Sequence, residues 1–330
     1  MEHFITLFIA LIVAAVTYGT PLLFGTLGEV LTEKSGNLNL GVEGIMFMGG
    51  AFGLGGVFYY EKLAATPNGF VAILVGILFA FLAGALASLI FSFITTTLRA
   101  NQNVTGLALS IFGTGVGQFM GEFMRVREGG YVAIGNELKT YFIASPFPKF
   151  LQEIPYVGKV LFSHSFFFYL AVLLAVGLYC YLMKSRSGLY LRAVGESPAT
   201  ADAAGINVTR YKYLATIIGG GISAVGGMVY ITTIAGCVWN HEGRPAGRCA
   251  GHLLHLASAV RHLGLCPLRR TDDPVSASAA FLHPHAALQD PALRRDGHRP
   301  CRFQYAQQQG KAAARSAGSV LLPRRPLNFP

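Results

Sequence analysis

A carboxylate set among glycines is the first chemistry this chain offers. In GNLNLGVEGIMFMGGAFGLGG, residues 36–56, Glu43 stands among Gly41, Gly44, Gly49, Gly50, Gly53, Gly55 and Gly56, in a run otherwise apolar enough to enter a bilayer. Asn37 and Asn39 immediately precede it. An ionisable side chain within a membrane segment usually faces a bundle interior or a solute pathway. A second reading places Glu43 near the interface, beside the polar stretch Glu33–Asn39, where it caps a helix start. Each glycine weakens a helix by about 1 kcal/mol relative to alanine. Irregular backbone at membrane depth also needs protein or a water-filled cavity around it. Either way residues 38–59 belong inside a bundle, as one span or as a re-entrant pair.

A second constellation lies far downstream. Cys249, His252, His255, His262 and Cys266 have spacings reminiscent of metal ligands. They fall in a His-rich segment with no surrounding fold signal, so chance is the preferred explanation and no metal site is expected. The other cysteines, Cys180, Cys237 and Cys301, complete no CxxC pair, and neither a disulfide framework nor a redox site is indicated. No GxxxxGK[ST] phosphate loop is present.

The elements that position Glu43 follow from composition. Hydrophobic residues make up 52% of the chain and charged residues 13%, with mean hydropathy +0.48. Apolar runs occupy residues 4–27, 70–98 and 166–183, with glycine-rich versions at 104–124 and 213–238. A helix needs roughly 20 apolar residues to cross a bilayer core. With residues 38–59 the count is about six, which predicts an all-α polytopic membrane protein. Met1-Glu2-His3 lacks the positive start of a cleaved signal, so the first span is expected to stay as an anchor. Small residues recur every fourth position at Gly76/Ala80/Gly84/Ser88, Gly113/Gly117/Gly121 and Gly219/Ser223/Gly227. Such stripes let helix backbones approach closely in lipid. No convincing internal repeat is visible.

The chain changes character near residue 240. Residues 1–240 carry 13 Lys+Arg against 11 Asp+Glu, whereas residues 241–330 carry 13 against 5. That tail has twelve Arg and one Lys, seven of the nine His, nine of the fifteen Pro, and neither Ile nor Met. It reads as a basic cytosolic domain, as a disordered basic tail gripping acidic lipid or RNA, or as translation of a GC-rich gene in the wrong frame. The frameshifted, unstructured tail is preferred, and no nucleic-acid partner is expected.

Three motifs in order resemble a known family. Gly28-Glu29, Glu33-Lys34-Ser35-Gly36 and Asn37-Leu38-Asn39-Leu40-Gly41-Val42-Glu43-Gly44 resemble the signature of bacterial ABC-importer permeases of the branched-chain amino acid, ribose and nucleoside group. The form is most similar to the nucleoside-type permeases. Leu98 to Gln102 with Thr105 to Leu109 resembles the family's second motif, carried by Asn101, Gln102 and Gly106. GLYLRAVGESPATADAAGINV, residues 188–208, resembles its cytoplasmic loop. The resemblance covers residues 1 to about 240 and ends near Trp239 to Gly243.

The loop at about 184–212 also has signals of its own. Lys184, Arg186, Arg192, Arg210 and Lys212 favour the cytoplasmic side. Pro198 can open a short helix, Glu196 lies near its positive end, and Gly205 can close it. The resemblance implies that this segment, with Arg192, Glu196, Pro198, Ala203 and Gly205, docks into an ATPase subunit. It implies a substrate pathway near Asn37, Asn39, Glu43, Gly44 and Gly49. It also implies a multi-pass subunit of the bacterial inner membrane that is not an enzyme and binds no cofactor, with ATP and Mg held by cytoplasmic ATPase partners. A second permease subunit, the same or homologous, and an extracytoplasmic substrate-binding lipoprotein or protein complete the expected assembly. A nucleoside is the leading solute, with simple sugars or branched-chain amino acids as alternatives. A glycine-rich span holding an acid also fits an ion-coupled secondary transporter. If residues 38–59 cross once and the 184–212 loop is inside, the N-terminus lies outside; a re-entrant pair reverses this.

Overall fold

The structure, a computed structural model, describes residues 2–152 and 157–239. The expected basic tail at 241–330, its frameshift origin and its Cys/His constellation lie outside the described residues. The described chain is helical apart from one small sheet. In order come α1 (Glu2–Glu33), α2 (Val42–Leu63), α3 (Gly69–Ser92) and α4 (Gln102–Arg127). Strand β1 (Val132–Ala133) and three short helices follow, α5 (Asn136–Ile143), α6 (Lys149–Gln152) and α7 (Val157–Leu161). Then come α8 (Phe166–Lys184), α9 (Arg186–Glu196), α10 (Pro198–Ala203), α11 (Val208–Val229) and β2 (Val238–Trp239).

Six of these helices are long and apolar enough to span a membrane, as expected from the sequence. They differ sharply in burial. The span of α2 is 89% buried and that of α11 is 78% buried, against 17–39% for the other four. Thus α2 and α11 form the centre, and the remaining spans turn apolar faces outward. Leu78, Leu82 and Leu86 of α3 and Ile111 and Phe119 of α4 are exposed in this way, as lipid-facing residues must be.

The glycines explain the centre. Of the two alternatives, one span or a re-entrant pair, the structure shows the first: α2 is one continuous helix despite its glycines. Their cost in helix propensity is offset by contacts that a side chain would forbid. A Cβ at Gly44 would lie 2.5 Å from the Ser110 carbonyl oxygen, and one at Gly113 would lie 2.6 Å from the Gly44 backbone, so α2 and α4 meet backbone to backbone. A Cβ at Gly49 would lie 2.6 Å from Ala224 Cα of α11. A Cβ at Gly84 of α3 would lie 2.5 Å from the Gly220 carbonyl oxygen of α11, and one at Gly219 would lie 2.5 Å from that of Gly28 in α1. The three small-residue stripes are thus helix crossings.

A local repeat, invisible at the level of sequence, appears in the backbone. Both α3 and α11 end in a π-helical turn, Phe93–Thr97 (FITTT) and Tyr230–Ile234 (YITTI). Leu98 and Ala100 donate backbone hydrogen bonds to Phe93 and Ile94, and Ala235 and Cys237 donate the matching pair to Tyr230 and Ile231. Thr95 Oγ1 donates to the Phe91 carbonyl at 2.8 Å, and Thr232 Oγ1 to that of Met228 at 2.9 Å. The two helices run antiparallel: Gly76 meets Met228, Gly84 meets Gly220, and Thr97 Oγ1 bonds the Tyr213 hydroxyl at 2.5 Å. The matched units therefore point opposite ways across the bundle. Three residues identical in position, Ile-Thr-Thr, were too few to mark the repeat in sequence.

The loops sort into two ends. At one end the 34–41 turn meets α9, where a Cβ at Gly36 would lie 3.2 Å from Gly195 Cα. At the other end Lys62 pairs with Glu128, the Gly135 amide donates to Glu61, and β1 pairs antiparallel with β2. Burial there pushes the Cys237 thiol up to about 12, which removes it from thiolate chemistry.

The crossing at Gly84 yields a direct test. Gly84→Leu should lower the stability of the detergent-solubilised protein by about 1–3 kcal/mol, because backbone faces the new side chain. Gly177→Leu is the control, since nothing lies within 4 Å of a Cβ there. Thermal unfolding followed by circular dichroism compares the two; equal midpoints would show that the crossing is not tightly packed.

Candidate functional site

The segment between α1 and α2 is non-helical backbone inside a bundle, so each of its N–H and C=O groups needs a partner. The two resembling motifs supply them to each other. Gln102, at the start of α4, accepts from the Leu38 amide at 2.9 Å and donates Nε2 to the Gly36 carbonyl at 3.3 Å. Ser110 Oγ donates to the Leu40 carbonyl at 3.0 Å. The Asn39 amide donates to Glu29 Oε1 at 3.3 Å, and Asn39 Oδ1 accepts from the Gly41 amide at 2.9 Å. Asn37 Nδ2 reaches across 179 residues to Thr216 Oγ1 at 2.9 Å, and that hydroxyl donates to the Lys212 carbonyl at 2.8 Å. Asn37 and Asn39 are 1% and 2% exposed, so these bonds form where water does not compete and the penalty for losing one is high.

Gly106 and Asn101 serve this clamp differently. A Cβ at Gly106 would lie 2.7 Å from the Leu40 amide nitrogen, so only glycine lets α4 come this close. Asn101 is the N-cap of α4, its Oδ1 accepting from the amides of Asn103 and Val104. Glu43 lies in the first turn of α2 and is 6% exposed. It therefore sits at a helix start and inside the bundle, but the N-cap position belongs to Gly41 with no side-chain cap hydrogen bond; an acidic residue in the first turn is favoured by the positive end of the helix. Gly44 and Gly49 lie further along α2 at the contacts with α4 and α11.

The segment at 184–212 folds as two short helices. Ser185 Oγ caps α9 by accepting from the Gly188 amide at 2.9 Å. Pro198 is the first residue of α10, and Gly205, at φ 80°, ends it while the amides of Gly205 and Ile206 bond back to Asp202 and Ala201. Only Ala201 of this helix is buried; Glu196, Pro198 and Ala203 are exposed. Arg192 is half-buried, with Nη1 3.7 Å from Met183 Sδ. Gly195 packs against the Lys34–Gly36 turn. The structure therefore joins the 36–44 motif, the 101–109 motif and the cytoplasmic-loop motif at one end of the bundle. Sequence reasoning singled out neither Ser110 nor Thr216, and it quoted Glu29 and Gly195 only within motifs, with no role for either. Ser110 and Thr216 carry no local signal, because each matters only through a partner distant in sequence.

Three motifs meeting around one buried turn are the features by which relatives can be judged. The profile of a family described as branched-chain amino acid transport system / permease component matches residues 11–247. The chain belongs to this family. It is a multi-pass membrane protein, and the family is one of transport subunits rather than enzymes. It is 33% identical over 220 residues to a nucleoside ABC transporter permease protein, NupC, of Lactococcus lactis, covering 66% of each chain. It is 35% identical over 228 residues to a guanosine ABC transporter permease protein, NupQ, of Bacillus subtilis, covering 67% of each. A Haloferax volcanii protein named for glucose ABC transport, TsgC13, is 36% identical over 217 residues, 65% of this chain and 60% of that one. The chain thus spans about two thirds of the length of the curated relatives it matches. No solved structure matches it.

The Asn37–Thr216 bond ties the first turn of the permease to its last described span. Asn37→Ala should cost about 0.5–1.5 kcal/mol by removing a buried hydrogen bond, the Thr216 hydroxyl keeping its bond to the Lys212 carbonyl. Thr216→Val should cost a similar amount, and the double variant less than the sum. Chemical denaturation of all four proteins gives the coupling; strict additivity would show that the two side chains do not act together.

Proposed function

We propose that this chain is the membrane-spanning half of an ABC importer, moving a nucleoside across the cell membrane with energy from ATP hydrolysed on partner subunits. The observation that carries the reading is the exposed helix α10, whose neighbouring Gly195 is packed on the 34–36 turn. A push on α10 reaches that turn without an intervening flexible linker. From there Asn37 leads to α11 through Thr216, and Leu38 leads to α4 through Gln102. Both routes converge on α2. In this reading Arg192, Glu196, Pro198, Ala203 and Gly205 shape the surface offered to the ATPase. Asn37, Asn39, Glu43, Gly44 and Gly49 form the inner element that must shift when the pathway opens.

The partners follow from the family: two ATPase subunits holding ATP and Mg, an extracytoplasmic substrate-binding protein, and a second permease subunit. Nucleosides are favoured because two of the relatives above are named for nucleoside or guanosine transport; the relative named for glucose keeps simple sugars as the alternative. Family membership weighs against an ion-coupled carrier. With α2 crossing once and the 184–212 segment facing the ATPase, the N-terminus lies on the outer side.

Two experiments test this. Ala203→Cys, in membranes containing the cognate ATPase, should give a crosslinked pair, while a cysteine at exposed Leu63 on the opposite end should not. Equal yields at both positions would remove α10 as the docking site. In the full importer, Gly44→Leu and Gly49→Leu should cut labelled nucleoside uptake at least about tenfold, the scale of a 1.4 kcal/mol penalty, and Glu43→Gln should reduce it while membrane insertion stays normal. Undiminished uptake in all three would place α2 outside the moving element.

A further inference from the structure

Helices α8 and α11 splay apart and leave a groove of about 890 Å³ between them, floored by Leu31 of α1. Its walls are aliphatic along most of their length, with Leu173 and Val176 of α8 facing Leu214 and Ile218 of α11. These four side chains are 68%, 56%, 47% and 42% exposed. Within membrane spans such exposure means contact with lipid. The groove changes character at the end where α9 begins. Ser187, Asn207 and Arg210 line it there, with Tyr181 and Tyr211 just below. Polar caps followed by tyrosines mark the depth at which a chain leaves hydrocarbon for headgroups.

Charge singles out the occupant. Arg210 forms no ion pair among the described residues. Lys184, Arg186, Arg192 and Lys212 share its end of the bundle, while the 184–212 segment holds only Glu196 and Asp202 as acids. We propose that this groove binds an anionic diacyl glycerophospholipid, its acyl chains along the α8 and α11 walls and its phosphate on Arg210. The Asn207 amide and Ser187 hydroxyl are donors at the same depth. The guanidinium offers the paired N–H geometry that suits a phosphate, and the volume lies within the range of ordinary ligand sites, about 300–1,000 Å³. A cationic groove end disfavours the protein alternatives. The chain's own residues 241–330 carry 13 basic against 5 acidic residues. A second copy docking symmetrically through this groove would bring two cationic groove ends into one interface.

The test uses the full chain in nanodiscs. Leu214→Trp places a fluorophore in the groove, and the parent, whose one tryptophan is Trp239 at the opposite end, gives the reference signal. Phosphatidylglycerol and phosphatidylcholine with brominated acyl chains are titrated separately. Half-maximal quenching should need about fivefold less phosphatidylglycerol, the attraction expected from one cation at an acidic surface. Arg210→Gln should bring the two lipids to parity, and Lys139→Gln, at the far end, should leave the preference intact. Millimolar inorganic phosphate should not displace the lipid. Parity in the Leu214→Trp protein, a preference surviving Arg210→Gln, or loss of the preference on adding phosphate alone would overturn the proposal. So would a tryptophan quenched by neither lipid, which would mean that protein fills the groove. Ile218→Trp repeats the measurement from the same wall should Leu214→Trp fail to fold.

Discussion

Backbone must touch backbone at the centre of this bundle, and the rest of the architecture follows from that constraint. Lipid provides no hydrophobic drive for one helix to join another, so packing and hydrogen bonding must supply the association. The glycines of α2 meet α4 on one side and α11 on the other, at Gly44 and Gly49. Close approach of α3 and α11 at Gly84 and Gly220 closes the ring. A helix so enclosed has almost no lipid-facing surface, which explains why α2 can be rich in glycine and start on a carboxylate while remaining one unbroken helix. The poor intrinsic propensity of its sequence is the condition for its position.

The same close approach creates the polar problem at one end. The 34–41 turn lies under α4, α9 and α11, too deep for water to satisfy its backbone. Its hydrogen-bond partners are side chains from three regions of the sequence: Glu29 on α1, Gln102 and Ser110 on α4, and Thr216 on α11. Together these bonds tie the turn to three different helices, α1, α4 and α11. A buried network of this kind favours one arrangement of the helices, because a lost bond there is not replaced by water.

Much of this was legible in the sequence, for physical reasons that differ by element. The spans could be read because hydrocarbon imposes length and apolarity, and the crossings because small residues four apart share a helix face. Pro198 and Gly205 marked α10 through local backbone preferences. Glu43 could be placed only as one of two alternatives, since burial depends on neighbours that periodicity does not reveal. The choice between one span and a re-entrant pair stayed open because propensity alone cannot make it: seven glycines are a liability in an isolated helix and a requirement in an enclosed one. Thr216 and Gly195 were not recoverable at all, since each acts on a turn about 160 to 180 residues earlier. The π turns were missed because their signature is a hydrogen-bond pattern carried by few residue types.

Those π turns bear on how the bundle can move. Each adds an extra residue to a helix end, and each is held by a threonine hydroxyl bonded back one turn, at Thr95 and Thr232. A π turn is a local departure from the α ladder of a kind frequent at functional sites, which makes it a candidate point of bending. In α3 that place lies at the end bearing α10, and in α11 it lies at the opposite end. The crossing at Gly84 and Gly220 sits between them and is too tightly packed to slide. Antiparallel helices pinned at a rigid crossing, each compliant at a different face, can bend at one end while the other holds. On the importer reading this arrangement gives a means of opening to alternate sides without breaking the centre, and it locates the compliance at the two threonine-stapled turns rather than in glycine-rich α2.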